Sequence, residues 1–196
     1  WFGTTLYSNS WTFIYNYISG LKKYKPHIIT EYQINKKQFP VDFSITHRSA
    51  KEWYEPIILN LRNWLAGRIQ RELIFKNFYL KALKNVRPDV VHIHFGVPGL
   101  LLFREVRKLN LPLVVSFYGY DLSQIPYEFG EDVYQRNGLF KHGQVFTAEG
   151  NFARNRLIQL GCSKEKASLL RIGIDLSKYK HYSRKLLDTK PIKILF

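Results

Sequence analysis

Cysteine and methionine are nearly or wholly missing from this chain, which has one cysteine and no methionine in 196 residues. The single Cys162 excludes a disulfide within the chain and fits a reducing compartment such as the cytoplasm, where we expect the protein to work. Because the chain begins at Trp1 and has no methionine, we expect it to be a fragment without its natural start. No apolar run approaches the roughly 18 residues that a membrane-spanning helix needs. With 45% hydrophobic residues, the chain is typical of a globular domain with a sizeable core.

The sequence also lacks the short motifs of several common catalytic sites. It has no G-x-G-x-x-G or G-x-x-x-x-G-K-[ST] loop, no H-E-x-x-H helix and no G-x-S-x-G elbow. A D-x-D pair that could bind a metal is missing too, and Cys162 has no obvious base nearby that would make it a catalytic thiol. We therefore expect neither a metal site nor a cofactor.

Acidic residues are scarce. The chain has 15 of them against 30 basic residues, which gives a net charge of +15. The excess lies in residues 21–87 and 151–196, whereas residues 88–150 hold five basic and seven acidic side chains. Such a field favours anionic partners, namely nucleic acid, an acidic membrane or a phosphorylated ligand. The alternative is a generally basic surface without a specific partner.

Apolar runs alternate with helical periodicity along the chain. The runs predict strands over residues 27–30, 90–95, 113–117, 145–147, 169–172 and 191–196. Apolar residues at helical spacing predict helices over residues 13–23, 53–85, 100–109 and 151–160. Strands that alternate with helices predict an α/β fold with a parallel sheet.

Polar or glycine-containing segments follow the predicted strands. They are His94-Phe95-Gly96, Tyr118-Gly119-Tyr120-Asp121 and Glu149-Gly150, while an uncharged loop from Gly3 to Ser10 precedes the first helix. In parallel sheets, ligands bind beyond the carboxyl ends of the strands. We therefore predict that the side chains of His94, Tyr118, Asp121 and Glu149 converge on one cleft, with the Gly3–Ser10 loop opposite.

Each of these segments also has a purely structural explanation. Tyr118 and Tyr120 can be aromatic residues that cover the edge of the core, and Asp121 can be a helix cap. We expect His92 and His94 to point to opposite sides of their strand, which would make one of them a core histidine.

Six short motifs stand in a familiar order. They are Ser10-Trp11-Thr12-Phe13-Ile14, Pro88 to Gly96 (PDVVHIHFG), Tyr118-Gly119-Tyr120-Asp121, Glu149-Gly150, Leu157 to Cys162 (LIQLGC) and Arg171-Ile172-Gly173-Ile174-Asp175. In this order they resemble the N-terminal domain of family 4 glycosyltransferases of the GT-B fold, especially those that build bacterial surface polysaccharides. Lys193 to Phe196 (KILF) is similar to the first strand of that family's second domain.

The resemblance implies a Rossmann-like three-layer α/β domain over residues 1–188, and a linker with the first strand of a second domain over residues 189–196. It implies transfer of a sugar from a nucleotide-sugar donor to a saccharide or a lipid-linked saccharide, with retention of configuration. The second domain of the family binds most of the donor through an E-x7-E motif and basic residues, and that part is absent from this chain. Residues 1–196 alone are therefore expected not to turn over.

The resemblance also implies roles for individual residues. Tyr118 and Asp121 take the catalytic positions, and the acceptor-binding positions are His94, Gly96, Gly119, Tyr120 and Glu149. The residues of the cleft loop near the donor phosphates are Thr4, Thr5, Ser10 and Thr12. Two departures matter: Trp11 stands where the family often has Glu, and Tyr118 stands where it has His. Since tyrosine has a pKa near 10 and is a poor base at neutral pH, we expect Tyr118 to position the acceptor.

A lipid-linked acceptor would bring the protein to the inner face of the cell membrane. The predicted helix over residues 53–85 carries Trp53, Tyr54 and Trp64 as candidate interfacial aromatics, beside arginines that could meet lipid phosphates. Its apolar stripe could equally pack on the sheet. Nucleic acid is the less favoured partner, because the aromatic cluster lies in the charge-balanced segment. Two alternatives remain open, a non-catalytic basic nucleic-acid-binding module and another GT-B sugar-phosphate enzyme such as a phosphorylase or epimerase.

Overall fold

The computed structural model of the protein describes residues 5–6, 12–33, 37–47, 75–174, 176–178 and 180–183. The first part of the chain forms two short parallel strand pairs. Strand β1 (Thr5–Leu6) pairs with β3 (Tyr32–Gln33), and β2 (His27–Thr30) pairs with β4 (Ser44–His47). Helix α1 (Thr12–Ser19) lies between β1 and β2 in sequence.

A four-stranded parallel sheet positions the rest of the chain. Its strands lie side by side in sequence order: β5 (Val91–His94), β6 (Leu113–Phe117), β7 (Val145–Ala148) and β8 (Ala167–Leu169). Helix α2, over residues 75–86, precedes β5, and α3 (Gly96–Lys108) connects β5 with β6. Four short helices connect β6 with β7: α4 (Gly119–Leu122), α5 (Gln124–Phe129), α6 (Val133–Arg136) and α7 (Leu139–His142). Helix α8 (Asn151–Gln159) connects β7 with β8, and a 3-10 turn follows at Leu176–Lys178. The chain is thus an α/β domain of the Rossmann-like type.

The two faces of this sheet differ in polarity, because successive strand residues point to opposite sides. One face carries Ile93, Val115, Phe117 and Phe146, which belong to a large apolar cluster. A Cβ atom built on Gly99 of α3 would contact Val115 at 3.1 Å, so α3 packs on this face. Each fully buried side chain of this kind contributes roughly 1.5–3 kcal/mol to the free energy of unfolding. This face supplies the core.

The opposite face carries His92, His94, Ser116 and Thr147. The register pairs His94 with Ser116 and Ser116 with Thr147, so these polar residues lie side by side across three strands. Helix α1 contacts this face through Tyr17, whose ring lies edge-on to both His92 and His94. The polar residues of three neighbouring strands are therefore gathered on one side of the sheet.

Several predicted elements need correction. The last described strand is residues 167–169 and not 169–172, and the helix after β5 begins at Gly96 and not at Leu100. The first helix ends at Ser19, before Gly20, and not at Lys23. The predicted long helix is confirmed over residues 75–85, while residues 53–74 and the predicted strand at 191–196 lie outside the described residues. Strands β1, β3 and β4 and the four short helices were not predicted.

Among the helices in the part of the chain that the structure describes, none is long and apolar enough to cross a membrane.

Gly96 provides a test of the packing that holds α3 on the sheet. A Cβ atom at this position would lie 2.6 Å from Phe117 Cε1 and 2.9 Å from the Tyr134 ring, both of them buried. We expect Gly96→Ala to lower the free energy of unfolding by about 1–3 kcal/mol, since it overpacks the core. Urea denaturation measures this change.

Gly119→Ala is the matched control, because a Cβ atom on Gly119 has no neighbour within 4 Å. We expect it to change the free energy of unfolding by less than about 0.5 kcal/mol. Equal effects of the two substitutions would contradict the packing role of Gly96.

Candidate functional site

A cleft opens at the carboxyl edge of the four-stranded sheet, on the polar face. It is lined by residues of α1, of strands β5 to β7 and of the segments that follow β6, β7 and β8: Phe13, Tyr17, His94, Ser116, Phe117, Tyr118, Thr147, Ala148, Glu149, Leu170, Arg171 and Ile172. The structure thus brings three of the predicted side chains, His94, Tyr118 and Glu149, to one place. Their meeting follows from the parallel order of the strands, whose ends lie at the same edge.

Tyr118 and His94 form the floor of the cleft. The Tyr118 hydroxyl and His94 Nδ1 lie 2.8 Å apart in a hydrogen bond. Phe13 of α1 contacts the Tyr118 ring edge-on, with the ring centroids 5.0 Å apart, and Phe95 contacts it at 4.8 Å. The Tyr118 side chain is therefore held by the hydrogen bond to His94 and by ring contacts with His94, Phe13 and Phe95.

A second polar chain runs beneath this pair. His92 Nε2 and Ser116 Oγ are 2.7 Å apart, and Ser116 Oγ lies 2.7 Å from Thr147 Oγ1. The expectation that His92 and His94 point to opposite sides was wrong. Residues two positions apart on a strand share a face, and the two rings stack with their centroids 4.5 Å apart. Both histidines therefore belong to the polar face of the sheet.

Burial keeps these histidines neutral. It lowers the pKa of His92 to about 4. Burial, with the neighbouring His92, lowers the pKa of His94 to about 3. Burial also raises the pKa of the Tyr118 hydroxyl, an effect that the nearby Ser116 hydroxyl partly opposes. At neutral pH the floor of the cleft is uncharged, so it can donate and accept hydrogen bonds but cannot act as a ready base.

Asp121 lies beneath the cleft and does not line it. Asp121 is only 2% exposed, and its Oδ2 accepts a hydrogen bond from the Tyr118 backbone N–H at 3.1 Å. Burial raises the pKa of this carboxyl to about 6, while hydrogen bonds from the backbone of Tyr118, Gly96 and Val97 oppose the rise. Asp121 thus satisfies amide groups at the starts of α4 and α3, which agrees with the alternative explanation of Asp121 as a helix cap.

The remaining predicted acceptor residues occupy different surroundings. Gly96 is buried against Phe117 and Tyr134, and thus serves the packing of α3. The space above Gly119 is open, and Tyr120 beside it is 55% exposed. Glu149 is exposed at the rim of the cleft. Gly119, Tyr120 and Glu149 are therefore accessible to a ligand, whereas Gly96 is not.

Only part of the predicted donor-side segment, Thr5 and Thr12, belongs to the described residues. Thr4 and Ser10 lie outside the described residues, and only the backbone of Thr5 is described, in β1. Thr12 is the first residue of α1 and is exposed. Phe13, next to it, reaches the cleft floor. The start of α1 thus borders the cleft.

The backbone at Phe95 is strained. Its φ of 73° and ψ of 142° fall in a region that residues other than glycine rarely adopt. The Phe95 backbone N–H donates to the Ser116 carbonyl at 2.8 Å, and its ring contacts Tyr118. The chain accepts this strain at the point where β5 turns into α3, directly beside the cleft.

Several lining residues were not predicted. Ser116 and Thr147 could have been found, since each is a polar residue inside an apolar strand and the register places them side by side. Arg171 was missed because the last strand was expected to include it, whereas the strand ends at Leu169 and Arg171 follows. The cleft therefore has an acidic side chain, Glu149, and a basic one, Arg171, near its rim.

The enclosed space of the cleft is small, about 20 Å³. This volume suits one water molecule and not a sugar ring. A saccharide would therefore lie over the cleft, with single hydroxyl groups reaching its floor. Among the residues that the structure describes, no group of three or more His, Cys, Asp or Glu side chains is arranged to hold a metal ion.

The neutral histidines predict a pH dependence of stability. Between pH 6.5 and about 4 the unfolded chain protonates His92 whereas the folded protein does not, so the folded state loses stability as the pH falls. His94 acts in the same direction. Asp121 acts in the opposite direction below pH 6, because folding raises its pKa. We expect the urea midpoint to fall between pH 6.5 and pH 5.

His92→Gln isolates this contribution, because glutamine can bond Ser116 but does not titrate. We expect the variant's free energy of unfolding to depend less steeply on pH below 6.5, by at most about 1.4 kcal/mol per pH unit. His27→Gln, at an exposed position of β2, is the control for replacing a histidine. An unchanged slope in His92→Gln would show that His92 is not held neutral by the fold.

Comparison with known proteins identifies the family of this domain. Residues 40–178 match the profile of Glycosyltransferase Family 4. A putative colanic acid biosynthesis glycosyltransferase, WcaL, of Escherichia coli (strain K12) is 26% identical over 125 residues, which cover 62% of this chain and 30% of that protein. The amylovoran biosynthesis glycosyltransferase AmsK of Erwinia amylovora is 32% identical over 111 residues, 55% of this chain and 26% of that protein. The WcaL of Salmonella typhimurium is 27% identical over 123 residues, 61% of this chain and 30% of that protein.

The matched region thus spans less than a third of these curated relatives. No solved structure matches. The family profile nevertheless covers 139 of the 196 residues, including every strand of the four-stranded sheet and every described residue of the cleft except those of α1. The chain belongs to Glycosyltransferase Family 4.

Proposed function

We propose that this chain is the acceptor-side half of a GT-B glycosyltransferase of polysaccharide biosynthesis. It takes part in moving a sugar from a nucleotide-sugar donor to a saccharide or lipid-linked saccharide, with retention of configuration. The observation that carries this proposal is the uncharged, hydrogen-bonding floor formed by His94 and Tyr118 at the carboxyl edge of a sheet in a family 4 domain. Family membership also favours this function over a non-catalytic nucleic-acid-binding module.

Tyr118 positions the acceptor in this proposal. Its hydroxyl bonds one hydroxyl group of the acceptor sugar, while His94, Phe13 and Phe95 fix the ring. Because burial raises the pKa of Tyr118, another group must take the proton when the acceptor oxygen bonds to the anomeric carbon and the nucleotide leaves. Tyr118 therefore contributes geometry and not proton transfer.

Residues at the rim supply the remaining contacts. The exposed Glu149 carboxylate accepts hydrogen bonds from sugar hydroxyls, and Tyr120 offers an aromatic face. Gly119 leaves room for the ligand to approach the backbone. Asp121 is a positioning residue, since it acts through the backbone of Tyr118. Thr12, at the exposed start of α1, lies on the side toward the donor phosphates in this proposal. A donor-side role for Thr4, Thr5 and Ser10 rests on the family resemblance alone.

In this proposal the donor and the charge on its leaving group are held mainly by the second domain of the GT-B fold. For this reason residues 1–196 alone do not turn over in this proposal. The nucleotide-sugar donor would bind at the rim of the cleft, where the positive charge of Arg171 can meet its phosphates.

Tyr118→Phe tests the positioning role in the complete enzyme. Since it removes one hydrogen bond, we expect kcat to fall by roughly 3- to 15-fold, with the shape of the pH–rate profile unchanged. Steady-state kinetics with the native donor and acceptor measure both quantities. Tyr127→Phe, at a position that is 84% exposed and does not line the cleft, is the matched control.

Loss of all activity in Tyr118→Phe, or loss of one limb of its pH–rate profile, would instead assign proton transfer to Tyr118. A wild-type rate in Tyr118→Phe would show that the Tyr118 hydroxyl does not contribute to the reaction.

The acceptor class predicts contact with an anionic membrane. A patch of four or five basic residues suffices for attachment, at about 1 kcal/mol for each residue near the surface, and the chain carries a net charge of +15. We expect co-sedimentation with phosphatidylglycerol vesicles at low salt, reversed by raised salt. Equal binding to phosphatidylcholine vesicles, or binding to neither lipid at low salt, would remove the membrane from the proposal.

A further inference from the structure

A second cavity lies at the opposite, amino edge of the four-stranded sheet. It has a volume of about 420 Å³ and is lined by Phe103, Arg104, Arg107, Lys108, Asn137 and His142, which we call the basic groove. Helix α3 begins at the carboxyl edge and ends at the groove, and its 13 residues span roughly 20 Å. The basic groove is thus separate from the cleft, which contains none of these residues.

The cations of the basic groove are held in place by two rings. Arg107 Nη1 donates a hydrogen bond to His142 Nε2 at 3.0 Å. A guanidinium group only donates, so His142 accepts at Nε2 and is neutral. The His142 ring stacks on Phe103 with centroids 6.0 Å apart, and the Arg104 guanidinium carbon lies 5.6 Å from the centre of the Phe103 ring. Each arginine is therefore in contact with one ring of the stacked Phe103–His142 pair.

The basic residues at the basic groove carry more charge than nearby carboxylates and helix ends offset. Partial burial, followed by the charges of Arg107, Lys141, Lys166 and Arg104, lowers the pKa of His142. Lys141 and Lys166 thus lie near the lining residues. One carboxylate offsets part of this charge, since Glu105 Oε1 lies 3.4 Å from Lys108 Nζ. No carboxylate lines the groove among the described residues.

Helix dipoles account for only part of the remaining charge. Arg107 and Lys108 lie in the last turn of α3, and Lys166 Nζ donates to the carbonyl oxygens of Phe140 and Lys141 at the end of α7. A helix end carries at most about half a negative charge, so the two ends offset about one positive charge. Neither Lys141 nor Lys166 lines the groove, and Glu105 offsets the charge of Lys108. The charges of Arg104 and Arg107, offset only in part by the end of α3, are therefore left facing the groove.

We propose that the basic groove binds a soluble ligand that carries a phosphate or diphosphate group. Arginine presents paired N–H donors that match phosphate oxygens, and two arginines stand here side by side. The volume lies within the range of small-molecule sites, roughly 300–1,000 Å³. The site is a binding site at a distance from the cleft, and the ligand does not take part in the sugar transfer.

The position of the basic groove favours a soluble ligand over a lipid headgroup. A bilayer against the amino edge of the sheet would leave the cleft, at the carboxyl edge, facing away from the membrane. An acceptor anchored in that bilayer could then not reach the cleft. This choice between the two sources of phosphate rests on the proposed function, whereas the phosphate chemistry itself does not.

Titration of the purified protein with inorganic pyrophosphate tests the proposal by calorimetry. We expect a saturable single-site isotherm that Arg104→Gln/Arg107→Gln weakens by about tenfold or more, since charge-assisted bonds are lost. Lys81→Gln/Lys84→Gln is the matched control, because it removes the same charge from exposed positions of α2. We expect this control to change the affinity by less than about twofold, which is the salt-dependent effect of net charge alone.

Two further measurements locate the ligand. Pyrophosphate should shift the imidazole NMR signals of His142, one of six histidines, which His142→Asn assigns. Arg171→Gln, at the cleft, should leave the affinity unchanged if the ligand sits in the groove. Arg107→Lys keeps the charge but loses the paired donors, so its affinity should lie between those of the wild type and the double variant.

Equal weakening in the two double variants would overturn the proposal, as it would reduce binding to net charge. Weakening only in Arg171→Gln would place the ligand in the cleft. Loss of phosphatidylglycerol vesicle binding in Arg104→Gln/Arg107→Gln, without an effect on pyrophosphate, would make the groove a membrane contact and overturn the choice of a soluble ligand. None of these measurements depends on sugar transfer, so their failure and that of the proposed function can be told apart.

Discussion

The carboxylate of Asp121 is the constraint on which the cleft depends. It accepts backbone hydrogen bonds from Tyr118, at the end of β6, and from Gly96 and Val97, at the end of β5. It thereby ties together two neighbouring turns, which the contacts of His94 and Phe95 with Tyr118 also join. The Tyr134 hydroxyl donates to the Asp121 carbonyl at 2.9 Å and fixes the same residue from the core side. The distance between Tyr118 and His94 follows from this link, because each belongs to one of the two turns.

The two faces of the four-stranded sheet differ in composition: one forms the apolar core and the other carries the polar residues of the cleft. The apolar face is filled by residues such as Val115, Phe117 and Phe146, none of which has any exposed surface. The polar face carries histidines, a serine and a threonine that satisfy one another. Buried polar groups cost stability unless they are paired, and here the pairs form between side chains of neighbouring strands. The strain at Phe95 is tolerated because the apolar face holds β5 and α3 in position.

The sequence was sufficient to predict the parts of this structure that rest on apolar runs. Strand β6 was predicted at its observed bounds, and the ends of β5 and β7 differ by at most one residue. The cleft followed from them, since parallel strands end together. The predicted start of α3 was too late because Gly96-Val97-Pro98-Gly99 has the composition of a loop. Proline is nevertheless tolerated in the first turn of a helix. The four short helices after β6 are held by tertiary packing, and no local pattern announces helices of four to six residues. That Asp121 supports the cleft from below and does not enter it depends on contacts with α3, which are distant in sequence.

The hydrogen bond between His94 and Tyr118 has one more consequence, because both groups are neutral and each can be donor or acceptor. If His94 carries its proton on Nδ1, it donates to the tyrosine oxygen, and the phenol O–H is free to donate outward. If the proton sits on Nε2, the phenol donates inward and its oxygen presents a lone pair. A tautomer change therefore reverses the polarity of the floor without moving a heavy atom. A hydroxyl group of a ligand is itself both donor and acceptor, so the same two side chains can bond such a group in either sense.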